Sequence, residues 1–164
     1  MAIRLCLIAL GFIFSTSASA FDVAEFKSGM SRDQVREHLT GWRFDRVQNS
    51  GDTLLAYDLP ERNSFRQFRF QFCNDKLAGL EQSMKASVRN FIVISNNYIT
   101  TYGQPIRVST GVNVVASGEK NAMMLHWRRG NETVAVRYQQ MADSEQLALI
   151  YEMPNTCWQS PRMP

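Results

Sequence analysis

The sequence is poor in the residues that form metal sites and catalytic nucleophile sites. It contains two histidines and three cysteines among its 164 residues. A His-Glu-x-x-His zinc motif, an acidic calcium loop, a haem attachment sequence and a Gly-x-Ser-x-Gly nucleophile turn are all absent. We therefore assign no catalytic residue, no metal ligand and no cofactor, and we expect a protein that is not an enzyme. His38 and His126 are interpreted as structural residues, and a catalytic dyad between them is the alternative.

Long apolar runs are also missing. A transmembrane helix takes about 20 apolar residues, and no stretch of the sequence reaches that length. The run Leu5–Phe14 has ten residues, follows the positive charge of Arg4 and precedes Ala18-Ser19-Ala20. This order is typical of a cleavable signal peptide. Residues 1–20 are therefore predicted to be removed, so that the mature chain starts at or near Phe21. An uncleaved anchor is the alternative, and it needs a longer apolar stretch.

No cysteine follows the predicted cleavage site, because Phe21 stands there. A lipid anchor at this point is therefore not expected. We predict a soluble, periplasmic or secreted protein with no transmembrane segment after signal cleavage.

The 144 residues that would remain after signal cleavage carry a net charge of only +2, because their basic and acidic residues are nearly equal in number. This is too weak to indicate a nucleic-acid partner. The chain has 14 arginines but only four lysines. Arginine is enriched and lysine depleted at protein interfaces, although a GC-rich genome produces the same ratio.

Two cysteines remain after removal of the signal peptide, Cys73 and Cys157. In an oxidising compartment this predicts one disulfide between them. Two buried thiols or a metal pair are the alternatives, and the metal pair lacks histidine ligands nearby in the sequence.

Two helices are predicted. The first begins at a capping box formed by Ser31 and Gln34 and ends at Gly41 in the left-handed conformation. The second follows an apolar stripe of helical period from Val88 to Tyr102 and ends at Gly103. The inner side of the first helix is predicted to carry Val35, His38 and Leu39.

Alternating apolar residues predict strands after each helix. The clearest is Phe65–Cys73, in which Phe68, Phe70 and Phe72 point to one side. Residues 106–121 are predicted as one irregular strand and a loop. The other predicted strands are Trp42–Val47, Thr53–Leu59, Leu77–Ser83, Ala122–Arg128, Thr133–Gln139 and Gln146–Met153.

These elements predict an α+β fold of antiparallel β-meanders covered by helices, with two similar α-βββ halves in one compact unit. The halves are residues 21–85 and 86–154, and residues 155–164 form a C-terminal tail. In this interpretation Tyr57 matches Trp127, and Arg69 matches Arg137. Chance similarity between two meanders is the alternative.

The element Gly29-Met30-Ser31-x-x-Gln34-Val35, the helix that ends in glycine and the following meander resemble one superfamily of exported proteins. It contains the small outer-membrane assembly lipoproteins and the tandem β-lactamase inhibitor proteins. Tyr102-Gly103-x-Pro105 is similar to the helix end of those modules. The resemblance covers residues 25–83 and, more loosely, 86–153, and it implies a fold that works by binding another protein. The missing anchor cysteine departs from the lipoproteins, and no functional residue is carried over.

Polar residues on or beside the central strands form the candidate site. A sheet face that bears arginine could bind an acidic protein, peptidoglycan carboxylates or lipid phosphates, and an ordinary solvated face is the alternative. The predicted binding surface consists of Arg66, Arg69, Gln71, Arg128, Arg129 and Arg137.

The predicted function is an exported, non-enzymatic protein-binding module, either inhibitor-like or an envelope adaptor. Its expected partner is another envelope or secreted protein. The alternative is a periplasmic carrier or sensor that holds a small apolar or anionic ligand between sheet and helix. A hydrolase is the third hypothesis.

Overall fold

The structure is a computed structural model that describes residues 21–60, 66–115 and 118–158. The predicted signal peptide, residues 1–20, and residues 159–164 of the predicted tail lie outside the described residues. Two helices and a large antiparallel sheet make this a mixed fold with more strand than helix. The elements are α1 (Arg32–Trp42), α2 (Val88–Tyr102), β1 (Asp22–Val23), β2 (Phe26–Lys27), β3 (Arg46–Ser50), β4 (Thr53–Tyr57), β5 (Gln67–Cys73), β6 (Lys76–Met84), β7 (Arg107–Val115), β8 (Gly118–Arg129), β9 (Glu132–Met141) and β10 (Ser144–Glu152).

The sheet has eight strands in the order β3-β4-β5-β6-β10-β9-β8-β7, and all neighbours are antiparallel. Two meanders of four strands therefore join where β6 pairs with β10, and β3 and β7 are the two edges. A short hairpin of β1 and β2 precedes the sheet. No helix of the described residues is long and apolar enough to span a membrane.

The start of α1 confirms the predicted capping box. The Ser31 hydroxyl accepts a hydrogen bond from the Gln34 amide, and the Gln34 side chain accepts one from the Ser31 amide. The predicted stop at Gly41 is wrong, because the helix continues to Trp42 and Arg43 takes the left-handed conformation, with φ 52°. The extra residue places the Trp42 ring edge-on against Phe68, with centroids 5.4 Å apart.

The inner side of α1 is also narrower than predicted. Val35 and Leu39 are buried, as expected from their spacing of four residues. His38 is exposed, so its predicted place on the inner side is wrong. It lies at the flank of the helix, where its ring centroid is 6.2 Å from that of Phe26.

The second helix is confirmed at both ends. It begins at Val88, after the Ser87 side chain caps the amide of Asn90. It ends at Tyr102, and Gly103 adopts φ 80° while its amide donates to the Ile99 carbonyl oxygen. A positive φ is the conformation that glycine adopts without a steric cost.

Two strand predictions are wrong. The strand predicted over Trp42–Val47 begins later, because α1 takes Trp42 and β3 starts at Arg46. Residues 106–121 contain the whole of β7 and the beginning of β8, which pair in continuous register from Arg107 opposite His126 to Val115 opposite Gly118. Val108, Val112 and Val114 alternate with polar or small residues along β7, so the period of a strand is present in the sequence and was missed.

The core lies between the sheet and the helices. The predicted phenylalanine row of β5, Phe68, Phe70 and Phe72, is buried there, as are Phe21 and Phe26 of the hairpin. The hydroxyl of Tyr98 on α2 lies 2.7 Å from that of Tyr151 on β10, and this hydrogen bond joins the helix to the sheet. Other fully buried members of this cluster are Val35, Leu54, Ala56, Val136 and Trp127.

Each helix is followed by four strands, but one predicted residue match between the halves fails. Leu54 and Ala56 of β4 face the core, so alternation turns Tyr57 to the opposite side of the sheet. Trp127 is buried in the core. Tyr57 and Trp127 therefore lie on opposite faces and are not equivalent.

Candidate binding face

The side of the sheet opposite α1 and α2 forms the candidate site. Because side chains alternate along a strand, the inward phenylalanines of β5 turn Arg69 and Gln71 outward, and the inward valines of β9 turn Arg137 outward. We call this surface the open face. On its five central strands, β5, β6, β10, β9 and β8, it includes Gln67, Arg69, Gln71, Gly79, Glu81, Ser83, Ala122, Met124, His126, Arg128, Thr133, Ala135, Arg137, Gln139, Ala148, Ile150 and Glu152.

The open face is concave. Two small residues lie in its middle as diagonal neighbours, Ala148 on β10, which pairs with Arg137, and Ala135 on β9, two positions from Arg137. Ala148 and Ala135 expose only 2% and 4% of their surface, although neither α1 nor α2 covers them. Longer side chains around these residues therefore form the walls of a trough with a low floor.

Two cavities lie in this trough, with volumes of about 390 Å³ and 120 Å³. Both are lined by Arg69, Glu81 and Arg137. The larger one extends towards the residues where the chain leaves β6, and the smaller one extends towards Trp158. The three shared side chains therefore stand at the centre of the open face.

Two arginines share one carboxylate at this centre. Nη2 of Arg137 donates to Oε1 of Glu81. Nη1 of Arg69 lies 3.7 Å from Oε2 of the same carboxylate, and the Arg69 side chain is 45% exposed. These three side chains carry one net positive charge. The larger cavity is also lined by Lys85 and Glu145, and the smaller one by Glu152.

One donor of this cluster lacks a partner. The Nε atom of Arg137 is buried and has no hydrogen-bond acceptor among the described residues. A guanidinium presents five N–H donors in a planar fork that matches a carboxylate or phosphate. An acceptor group of a ligand that enters the trough could therefore supply the missing partner.

The tail forms one wall of the trough through the predicted disulfide. The sulfurs of Cys73 and Cys157 are 2.04 Å apart, which is bonding distance and confirms the pairing. The next residue, Trp158, lies on the open face above Gly79, where a Cβ would be only 3.3 Å from the ring. Its Nε1 is 3.4 Å from Oε1 of Glu152.

An Asx-type turn holds this end of the tail. The side-chain oxygen of Asn155 accepts hydrogen bonds of 3.0 Å from the amides of both Cys157 and Trp158. Sequence reasoning missed Trp158 as a site residue. The available signal was its position directly after a cysteine that the disulfide ties to a central strand.

His126 lies on the open face beside the smaller cavity. Burial lowers the pKa of His126, the charge of Arg107 lowers it further, and Glu152 opposes the shift. The imidazole is therefore held neutral near pH 7. His38 lies on α1, on the other side of the sheet, so the two histidines of the alternative dyad are not brought together.

The structure places the six predicted surface residues at four locations. Arg69, Gln71 and Arg137 line the trough. Arg128 stands opposite Thr133 at the exposed end of the open face. Arg66 and Arg129 lie apart from it.

Arg66 has a structural position. It donates from Nε and Nη2 to the buried Asp58, at 2.7 and 3.0 Å, and its guanidinium lies 4.6 Å from the centroid of the Phe44 ring. Arg129 belongs to the side of the sheet that carries α2. Its Nη1 is 3.7 Å from Oε1 of the buried Glu132, and its guanidinium lies 6.0 Å from the Tyr102 centroid.

Glu132 is the most unusual charged group on the helix side. Its side chain is fully buried, and neither carboxylate oxygen has a hydrogen-bond donor among the described residues. Burial raises the pKa of Glu132, and Arg129 opposes the shift.

Within the part of the chain that the structure describes, no three His, Cys, Asp or Glu side chains converge as metal ligands. The middle of the space between the sheet and the helices, where the alternative carrier function would place a ligand, is filled by buried side chains such as Phe70, Leu80 and Trp127. Clefts of about 290 and 250 Å³ lie at its edge beside α1, and one of about 400 Å³ lies over β7 and β8. The two cavities described above instead lie on the open face.

Comparison with known proteins gives no family assignment: no family model, no curated protein and no solved structure matches this chain.

Proposed function

We propose that this chain is an exported, non-enzymatic protein-binding module whose open face takes an acidic, extended segment of another envelope or secreted protein. The observation that carries this proposal is the centre of the trough, where Arg69 and Arg137 share Glu81 and one buried N–H of Arg137 has no acceptor. A carboxylate from a partner would complete this cluster, because charge-assisted bonds to arginine are strong and geometrically specific.

The shape of the open face supports a segment rather than a flat protein surface. The trough runs across at least four strands, and Ala148 and Ala135 on its floor leave room for side chains that enter from above. Arg128 and the exposed Arg107 extend the positive charge along one side of it. These charges would speed the approach of an acidic partner, and the effect would fall as the salt concentration rises.

Export is supported by the order of charge, apolar run and Ala-x-Ala in residues 1–20. The disulfide supports it independently, because such bonds persist mainly in oxidising compartments. The chain would therefore meet its partner in the periplasm or outside the cell, as either an inhibitor-like protein or an envelope adaptor.

The architecture supports the resemblance to the exported helix-plus-meander superfamily in a general way. α1 with β3–β6 and α2 with β7–β10 repeat the same element order, and Arg69 and Arg137 each stand on the third strand of their group. We infer two similar halves from this order, with the arginines rather than the pair Tyr57 and Trp127 as equivalent positions.

A carrier or sensor of a small anionic ligand is the second candidate. The larger cavity, at about 390 Å³, falls within the range of small-molecule sites, roughly 300–1,000 Å³. Both candidates use the same arginines, so they differ in the size of the ligand and not in its charge. A hydrolase gains no support from the histidines, which lie on opposite sides of the sheet.

The proposal is tested by capture from the envelope fraction of the source organism with three immobilised proteins. These are the wild type, the double variant Arg69→Glu/Arg137→Glu, and a matched control, Arg36→Glu/Arg89→Glu, which reverses two exposed charges on the helices. We expect the wild type and the control to recover a discrete protein, and the open-face variant to lose it. Equal recovery by all three proteins would contradict the proposed surface.

A defined probe separates the two candidates. An extended glutamate-rich peptide is titrated against the same three proteins by fluorescence anisotropy, with a lysine-rich peptide as the charge control. A protein-binding face should bind the acidic peptide at least tenfold more tightly than the open-face variant does. If the peptide fails to bind, while native mass spectrometry of the purified wild type finds a small anion that the variant lacks, the carrier function replaces the proposed one.

A further inference from the structure

We propose that β7 is a self-association edge, at which two copies of this chain pair antiparallel into one continuous sheet. This surface is separate from the open face, and the proposal does not rest on the proposed function.

The edge strand has the features of a free pairing site. β7 spans nine residues, and among the described residues it pairs with β8 along one side only. Natural edge strands usually avoid association by carrying charged residues, proline or a bulge, or by being very short. From Val108 to Val115 the strand has no charged residue and no proline, and its register with β8 is unbroken.

An uncovered row of valines accompanies this edge. Val108, Val112 and Val114 expose 56%, 67% and 88% of their surface. They point to the same side of the sheet as the helices, because each pairs with an inward position of β8. α2 packs against β8 and β9, so the row lies beyond the helix. Met123 on β8 continues the same surface.

A second copy of the chain fits this surface because the edge is complementary to itself. An antiparallel pairing centred on Gly111 places Val108 opposite Val114 of the partner subunit. It also places Thr110 opposite Val112 of the partner subunit. The two apolar rows then meet on one side of the joined sheet, and β-branched pairs of this kind stabilise neighbouring strands.

Charge does not oppose this arrangement. Arg107 is the single charged residue of β7, and the two copies of it would stand at opposite ends of the joined strands, about 27 Å apart. That separation exceeds the screening length of about 8 Å at physiological salt.

The other edge of the sheet makes a poorer partner. β3 has only five residues, and it carries Arg46 and three polar side chains. Pairing of β7 with β7 of a second copy is symmetric and uses up the edge in both molecules, so it stops at a dimer and does not extend into a filament.

The size of the contact sets the expected strength. Nine residues give a strand edge about 30 Å long. The contact is about 10 Å deep, the depth of the valine side chains and the strand together, so the total buried area is well under about 1,000 Å². We therefore expect a reversible dimer with a dissociation constant in the micromolar range, on the order of 1–100 µM.

Sedimentation velocity over a concentration series tests the proposal with a matched pair of variants. Val112→Lys places two ammonium groups at diagonal positions of the joined strands, about 7–8 Å apart, and should weaken the dimer at least tenfold. Val47→Lys makes the same change at the exposed β3 edge and should leave the dimer intact. A wild type that stays monomeric throughout, or Val112→Lys that dimerises as the wild type does, overturns the proposal.

Cysteine cross-linking tests the register and does not depend on a destabilising change. In the proposed pairing Gly111 faces itself across the axis at about 5 Å, within the reach of a disulfide. Val114 is separated from its own copy by about 20 Å. Gly111→Cys should therefore form a disulfide-linked dimer under mild oxidation, and Val114→Cys should not. Equal cross-linking of both variants, or of neither, contradicts the pairing.

Discussion

Arg66 holds the carboxylate of Asp58 with two hydrogen bonds, from Nε to Oδ2 at 2.7 Å and from Nη2 to Oδ1 at 3.0 Å. The third nitrogen, Nη1, donates to the carbonyl oxygen of Trp42 at 3.1 Å. The Asp58 side chain is fully buried, while that of Arg66 is one-third exposed. One guanidinium thus connects the end of α1, the end of β4 and the beginning of β5.

This geometry predicts a large loss of stability for Arg66→Met. The substitution keeps an apolar side chain at this position but removes both hydrogen bonds to the buried Asp58 carboxylate and the guanidinium that lies over the Phe44 ring. Removal of one member of a buried ion pair costs about 3–5 kcal/mol, and we expect about 3 kcal/mol here because Arg66 is partly exposed. Urea unfolding measures the loss.

Arg69→Met is the matched control for Arg66→Met. Arg69 is on the open face and lies 3.7 Å from Glu81, and exposed pairs contribute about 1 kcal/mol or less. If Arg66→Met lowers the free energy of unfolding no more than Arg69→Met does, the Arg66–Asp58 pair does not stabilise the fold more than an exposed ion pair.

A second prediction concerns two glycines in different surroundings. A Cβ at Gly79 would meet the Gln71 side-chain oxygen at 3.0 Å and the Trp158 ring at 3.3 Å, while a Cβ at Gly41 would meet nothing within 4 Å. Gly79→Ala should therefore displace Trp158 from the wall of the trough and lower the melting temperature. Gly41→Ala, inside α1, should raise stability by about 0.5–1 kcal/mol through helix propensity.

Thermal melts and tryptophan fluorescence of the two glycine variants separate the effects. A change of emission in Gly79→Ala that is absent in Gly41→Ala is the expected signature of a moved Trp158. Unchanged emission in both variants would mean that the tail is not held against Gly79.

The buried Glu132 predicts a pH-dependent gain of stability. Because burial raises the pKa of Glu132, the folded state holds the proton more tightly than the unfolded state does. Above the ordinary glutamate pKa of about 4.3, the wild type is therefore destabilised, and increasingly so as the pH rises through the raised folded value. Glu132→Gln should be more stable than the wild type at pH 7, by about 1–2 kcal/mol.

The gain in Glu132→Gln should shrink towards zero as the pH falls below about 4.3, since the wild-type side chain is then neutral in both states. Denaturant unfolding between pH 3 and pH 8 measures the difference, and Glu119→Gln, at an exposed position of β8, serves as the control. A gain in Glu132→Gln that stays constant over this range would be inconsistent with a buried, charged Glu132.

Local signals account for the parts of the fold that the sequence predicts well. The Ser31 and Gln34 capping box depends on residues three positions apart, and the end of α2 depends on Gly103. The inward row of Phe68, Phe70 and Phe72 follows from alternation within one strand. The disulfide follows from counting cysteines once residues 1–20 are set aside.

The incorrect predictions concern choices that local sequence leaves open. Gly41 can end a helix or continue it, and the packing of Trp42 against Phe68 favours continuation. His38 has a helical spacing that fits the inner side, but the width of the buried stripe depends on the sheet beneath it. Leu54 and Leu55 are adjacent, so the side of β4 that faces the core is decided by its neighbour β5.

The candidate site was only partly accessible to sequence reasoning for the same reason. Arg69 and Arg137 are identified by their positions opposite inward residues. Glu81, which binds both of them, lies on a strand between theirs, and no sequence pattern relates it to either arginine. The low floor also requires Ala148 and Ala135 on two strands to be diagonal neighbours, which only the register of β9 with β10 reveals.

The disulfide provides the last prediction, because it joins the fold and the site. Cys73 and Cys157 are separated by 84 positions, and in the chain-entropy description closing a loop of that size stabilises the folded state by about 4 kcal/mol. Reduction, or the double variant Cys73→Ser/Cys157→Ser, should therefore lower the denaturant midpoint and also release Trp158 from the open face.

Trp158→Ala in the oxidised protein is the control, since it removes the wall of the trough but keeps the cross-link. If binding depends on the wall, both variants should bind the acidic peptide less well, but only the serine variant should lose the full stability. A serine variant that unfolds at the wild-type midpoint would mean that the cross-link only positions the tail and that the sheet and helices hold the fold without it.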